Sequence, residues 1–228
     1  MSAVRRRVVL ALVLAAVAAP ALLVAGGWPR WWLWIASEQT PMTWLQSVTL
    51  VLAGAAALLT SVVLGLAGVP ARQRWVWGAL GAGLGALALD ERFALHERLR
   101  DGVLAPRGIS VPLLTWVAPG DFVVMGIAVA GLLLLPRVWA AVATDPAARR
   151  ALAVAVVLGL VAVGIDSVDP ATWTVPQERL QQTCEEVVEL ASGLALLACT
   201  ALRLLSAIAA VAVRTDIAAG AGARVGTD

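Results

Sequence analysis

Apolar runs of membrane-crossing length recur along the whole chain, over residues 8–25, 44–67, 75–95, 112–135, 149–168 and from 176 to about 213. A helix that crosses the hydrocarbon core of a bilayer needs about 20 largely apolar residues. Of the 228 residues, 61% are hydrophobic and only 14% charged, and the mean hydropathy is +0.87. That is too apolar for a water-soluble domain and too long for a single anchor. The expectation is an all-α fold: a polytopic membrane helical bundle of about six transmembrane helices. One domain covers residues 1–213, and a Gly/Ala-rich tail over residues 214–228 is expected to be disordered and cytoplasmic.

Charge sets the expected orientation. Arg5, Arg6 and Arg7 precede the first run and place the N-terminus in the cytoplasm. The basic turns at Arg72 and Arg74 and at Arg137, Arg149 and Arg150 agree. The loop after the third run carries Arg98, Arg100 and Arg107 and conflicts; nearby acids neutralise these arginines, and the outer placement stands. Both termini are then cytoplasmic in a multi-pass protein of the cell membrane. The first run also fits a signal peptide, with a basic start and Ala16-Val17-Ala18 as a cleavage site. Apolar sequence continues through Leu22, Leu23 and Val24, which favours an uncleaved helix. Trp28, Trp31, Trp32 and Trp34 around Pro29 read as an interfacial loop.

Several chemistries are excluded. All 17 basic residues are Arg, so no lysine is present to form a Schiff base. They are scattered, so nucleic acid is not an expected partner. The single histidine, His96, cannot supply bis-His haem or a histidine-rich di-iron site, and there is no Glu-x-x-His pair. There is no P-loop and no Cys-x-x-Cys. Cys184 and Cys199 on one helix stand roughly 22 Å apart at ~1.5 Å per residue, too far for a disulfide.

Against this background the acids stand out. Six spans place Asp90, Glu91 and Glu97 at the end of the third helix and Asp121 at the start of the fourth. Asp166 and Asp169 fall at the end of the fifth, and Glu178, Glu185, Glu186 and Glu189 at the start of the sixth. All lie on the outer face, as do Glu38 and Asp101. At about 100° per residue Asp90 and Glu97 share a helix face, with His96 beside it. Glu178, Gln182, Glu185, Glu189 and Ser192 form a polar stripe on an otherwise apolar helix. Ionisable groups inside a membrane are costly unless partnered or functional. The third and sixth helices are therefore expected to be neighbours. The third helix also carries Gly81 and Gly85, a small-xxx-small pair for close helix contact.

Carboxylates so concentrated must protonate, pair with arginine or hold a cation. The expected metal ligands are Asp90, Glu91, His96, Asp166, Glu185 and Glu189, for a divalent zinc, manganese, iron or calcium ion. Glu97 and Glu186 are the expected catalytic residues, acting as general base on a metal-activated water. The reaction would be hydrolysis of a lipid or other substrate reaching the outer leaflet. Two alternatives stand beside this: a non-enzymatic sensor or interaction protein whose acidic vestibule takes a basic membrane-protein partner, and a proton- or cation-coupled transporter. Little polar lining in the cytoplasmic halves of the spans counts against transport. A Ser192–His96 dyad is a further, weaker arrangement.

Overall fold

The computed structural model describes residues 2–36, 39–110, 112, 122–168 and 173–225. Every regular element among them is helical: α1 (Ala3–Gly27), α2 (Trp32–Ile35), α3 (Pro41–Leu66), α4 (Ala71–Phe93), α5 (Leu95–Leu99), α6 (Phe122–Ala141), α7 (Pro146–Asp166) and α8 (Val175–Val225). Four of these, α1, α3, α7 and the part of α8 up to Val213, are long and apolar enough to cross a membrane, and a shorter apolar stretch covers Met125–Ala141 of α6. In α4 the charged residues at both ends, Arg72 and Arg74 before and Asp90, Glu91 and Arg92 after, shorten the apolar stretch. Helix α6 continues through Pro136 to Ala141, past the expected end at residue 135. Helix α8 runs on to Val225, so the segment from residue 214 is helical here; its alanines are strong helix formers.

The organising element is α3, which packs along both α4 and α8. Its inward face is small and polar: Thr43, Gln46, Ser47, Thr49, Ala53, Gly54, Ala56, Ala57 and Thr60 are all buried. The hydroxyls of Thr43, Ser47 and Thr60 donate to the backbone carbonyls of Thr40, Thr43 and Ala56 at 2.9, 2.8 and 2.8 Å. Each is thereby satisfied within its own helix and can be buried without an outside partner. Against α4 the approach is closest at Gly81. A Cβ there would lie 2.6 Å from Leu58 Cγ and 2.9 Å from the Gly54 carbonyl oxygen. Gly85, the other half of the expected pair, has nothing within 4 Å of its Cβ position. Of the expected pair only Gly81 makes the contact, opposite Gly54 of α3.

The expected adjacency of the third and sixth predicted spans needs correction. These are α4 and α8, and they do not pack along each other; α3 lies against both. The small-residue face of α3 draws the two helices onto itself, so their acids meet only at the ends of side chains, across a gap.

Two apolar clusters hold the bundle. At one end Ala57, Val76, Trp77, Val138, Val142, Ala148, Leu152, Cys199 and Leu202 bring α3, α4, α6, α7 and α8 together. At the other end Ile35, Met42, Leu190 and Leu194 join α2, α3 and α8, flanked by Leu12, Ala15, Ala16, Ala19 and Leu23 of α1. The first end is also locked by charge. Asp145, the N-cap of α7, accepts from the Ala148 backbone N–H at 3.2 Å, from Ser206 Oγ at 2.8 Å and from Arg5 at 2.5 and 2.6 Å. Arg5 also donates to Ser206 Oγ. Three helices distant in sequence, α1, α7 and α8, thus share one carboxylate. Burial pushes the Asp145 carboxyl up, but the hydrogen bonds from Arg5, Ser206 and Ala148 and the Arg5 charge outweigh it. The net result lies below the ordinary carboxylate value. Arg203 lies over the Trp77 ring at 6.0 Å.

Candidate functional site

The helices line a cavity of about 1230 Å³ between α3, α4, α6, α7 and α8, with its acidic part at the opposite end from the Asp145 latch. Its walls carry Asp90, Glu91 and Glu97 from α4 and α5, Asp166 from α7, and Glu178, Glu185, Glu186 and Glu189 from α8. Among the described residues, Arg100 is the one arginine and His96 the one histidine on the same walls. The sequence-predicted residues are therefore brought to one cavity, but they do not act there as one group. Glu38, Asp121 and Asp169 lie outside the described residues.

The tightest grouping is Glu91, Glu186 and Glu189. One carboxylate oxygen from each lies within 4.8 Å of the others. Glu186 and Glu189 are three apart on α8 and share a face; Glu91 reaches across from the last turn of α4. Beside them is Gln46 of α3, a residue that sequence reasoning missed. Its Nε2 donates to the Glu186 backbone carbonyl at 3.0 Å and to Glu189 Oε2 at 3.4 Å. The carboxylate on that side demands the N–H₂ end of the amide, which turns Oε1 elsewhere. That oxygen is buried and has no hydrogen-bond partner among the described residues, in a side chain only 3% exposed. A buried amide oxygen needs a donor or a cation. A signal for Gln46 was present in the sequence: Thr43, Gln46, Ser47, Thr49 and Thr60 recur at helical spacing within an apolar run.

Asp90 and His96 pair with each other. Helix α4 ends at Ala94, whose φ of 48° is left-handed. The chain turns there and α5 starts folded back on the last turn of α4. Asp90 then accepts both from the His96 backbone N–H, at 2.8 Å, and from its ring Nδ1, at 2.7 Å. Its two oxygens fix the ring orientation. Glu97 pairs with Arg100 at 3.2 Å, and Arg100 Nε donates to Asp101 at 2.8 Å. That hydrogen bond, with the charges of Arg100 and His96, holds the Asp101 carboxyl below its usual range despite a slight opposing effect of burial. Ser192 Oγ donates to the Ala155 carbonyl at 3.0 Å. It thereby joins α8 to α7, while the His96 ring goes to Asp90. Glu185 and Asp166 line the cavity outside the three-carboxylate group.

A family model described as a domain of unknown function, DUF8692, matches residues 6–204. The chain belongs to that family. No curated protein and no solved structure matches it. The matched region takes in every cavity-lining residue named above and also Asp145; Arg5 and Ser206 of the latch fall just outside it.

Proposed function

We propose that this helical membrane protein binds a divalent cation in the cavity, held by Glu91, Glu186, Glu189 and the amide oxygen of Gln46. One observation carries the reading. Three carboxylate oxygens from two helices converge within 4.8 Å, next to a buried amide oxygen that lacks a hydrogen bond among the described residues. Like charges so close repel by about 3.5 kcal/mol per pair at an effective dielectric constant near 20, and a dication removes that repulsion. An all-oxygen donor set favours a hard ion, calcium, magnesium or manganese, over zinc. The arginine-rich turns fall at the latch end, which supports a cytoplasmic placement of that end and, with it, of this site at the outer face.

The test is elemental analysis of detergent-purified protein prepared without chelator. Near-stoichiometric metal in the wild type, lost in both Glu189→Gln and Gln46→Leu, is the expected result. Equal metal content in all three proteins would remove the reading.

Metal-dependent hydrolysis is a second reading, favoured by the Asp90–His96 pair. A carboxylate that accepts a hydrogen bond from Nδ1–H leaves Nε2 as the ring's base, on a residue that lines the cavity. Glu97 is a weaker candidate for that role because its carboxylate is spent on Arg100. Turnover of a lipid ester that disappears in His96→Ala, with metal content kept, would support it. The transport reading draws less support. Toward the latch end the described cavity walls turn to Leu80, Leu135, Val138 and Leu152, which offer no polar path.

A further inference from the structure

The cavity is larger than an ion needs. It exceeds the ~300–1,000 Å³ usual for small-molecule sites, and most of its length is apolar. From the carboxylates it extends along α4 to Leu80 and along α7 to Leu152. That is ten residues below Asp90 and fourteen below Asp166, or about 15 and 21 Å at ~1.5 Å per residue. One leaflet of a bilayer has a hydrocarbon depth of about 15 Å, half of the ~30 Å core. The apolar arm therefore matches the length of a lipid tail. It is also open along one side. The arm's outer wall is α6, which touches α4 and α7 only sparsely. Among its described side chains none before Val138 is buried. Gly83 of α4 and Gly131 of α6 both line the arm, and each has open space where a Cβ would stand.

We infer that the cavity holds a single-chain amphiphile from the membrane, with its aliphatic tail in the arm between α4, α6 and α7 and an amine headgroup among the carboxylates. The headgroup follows from charge: among the described residues these walls carry eight acids and one arginine, so they stay acid-rich even with Glu97 on Arg100 and Asp90 on His96. An anionic headgroup would be repelled, whereas an ammonium is attracted and has three N–H donors to place. In the metal-free protein Gln46 Oε1, buried and without a hydrogen bond among the described residues, is an acceptor for such a donor. The inference rests on the shape and lining of the arm and not on the bound cation.

The experiment is native mass spectrometry of the detergent-purified full chain with hexadecylamine, hexadecanol and hexadecanoate added separately. Metal content is measured on the same samples. Binding of hexadecylamine at least tenfold tighter than of hexadecanoate, abolished by Gly131→Phe and by Gly83→Phe, is the expected result. Both substitutions fill open space on helices and leave the carboxylates in place, so metal content should not change. Equal binding of the three amphiphiles, preference for hexadecanoate, or binding that survives both substitutions would overturn the inference. Loss of metal in Glu189→Gln while hexadecylamine still binds separates the two proposals. A protein that carries no metal yet binds the amine would sink only the cation reading.

Discussion

Replacing Asp145 by Asn should destabilise the bundle by about 3 kcal/mol. The Asp145 side chain is 7% exposed and that of Arg5 18%. The carboxylate receives two hydrogen bonds from Arg5, one from Ser206 and one from the Ala148 backbone. Asn preserves the volume and remains a good N-cap for α7, so the change is chiefly the loss of charge opposite the guanidinium. Removing one partner of a buried pair costs about 3–5 kcal/mol because the other charge is left uncompensated. Arg5 keeps some contact with solvent, which places the value at the lower end. Asp145→Ala also removes the cap, a further loss of about 1 kcal/mol. A chain of this size shifts its Tm by about 2–4 °C per kcal/mol. Asp145→Asn should therefore melt roughly 6–12 °C below wild type in detergent, followed by tryptophan fluorescence, and Asp145→Ala a few degrees lower still. The double variant Arg5→Met/Asp145→Asn should lose less than the sum of its single changes, because the two side chains share one interaction. A single-variant shift within about 1 °C, or strict additivity in the double variant, would refute the idea that this carboxylate ties α1, α7 and α8 together.

Other predictions concern the same contacts. The latch should be acid-sensitive. The folded-state value of Asp145 is depressed, so its contribution is complete above the unfolded value near ~3.9 and fades as pH falls through the folded one. The Tm gap between wild type and Asp145→Asn should narrow on going from about pH 7 to about pH 3; a gap that widens would contradict the sign. Gly81→Ala should cost about 1–3 kcal/mol by overpacking against Leu58 and the Gly54 carbonyl. Gly85→Ala, facing open space, should be neutral or gain up to ~1 kcal/mol in helix propensity; equal effects at the two sites would deny the close approach at Gly81. At the cavity, Glu189→Gln should raise the Tm of chelator-treated protein by relieving repulsion with Glu91 and Glu186, and abolish the Tm rise that added calcium or manganese gives the wild type. The same sign of effect with and without metal would count against a shared cation site.

Much of the helix pattern was legible in the sequence because an apolar run of membrane length has few structural options. The runs at 44–67, 75–95 and 149–168 correspond to α3, α4 and α7 within a few residues. Two ends moved: the run read to residue 135 continues through Pro136 to Ala141, and the run read to about 213 is helical to Val225. The convergence of Asp90, Glu91, Glu97, Asp166, Glu178, Glu185, Glu186 and Glu189 on one cavity was visible too, because their helices alternate in direction. Less legible was which helix stands in the middle. The apolar and small residues of α3 resemble those of any other run, and its place between α4 and α8 depends on a close approach at Gly81 that spacing alone did not distinguish from Gly85. Gln46 was missed for that reason, since its importance comes from lying between two neighbours. The Arg5–Asp145 pair joins residues 140 positions apart, and only the Asp145-Pro146 start of α7 left a local trace.

The cavity follows from how the two ends of the bundle are held. At the latch end, bulky residues of four helices close on Ala57 of α3, and the shared carboxylate of Asp145 fixes α1, α7 and α8. At the other end the cluster of Ile35, Met42, Leu190 and Leu194 binds α2, α3 and α8 but includes nothing from α4, α6 or α7. Here α4 is held by α3, and Gln181 of α8 donates to the Ile165 carbonyl of α7 at 2.8 Å, while the facing ends of α4 and α7 carry acids rather than apolar residues that would close the gap. A bundle selected only for stability would gain by filling that space, since helices in a bilayer are held by close van der Waals packing. Leaving it open, lined with carboxylates at its mouth and aliphatic side chains along its depth, trades stability for a site. Such a trade is expected where a protein binds something. If so, filling the arm with Gly131→Phe should raise the Tm of the protein while removing its capacity for the amphiphile, a combination that a purely structural cavity would not produce.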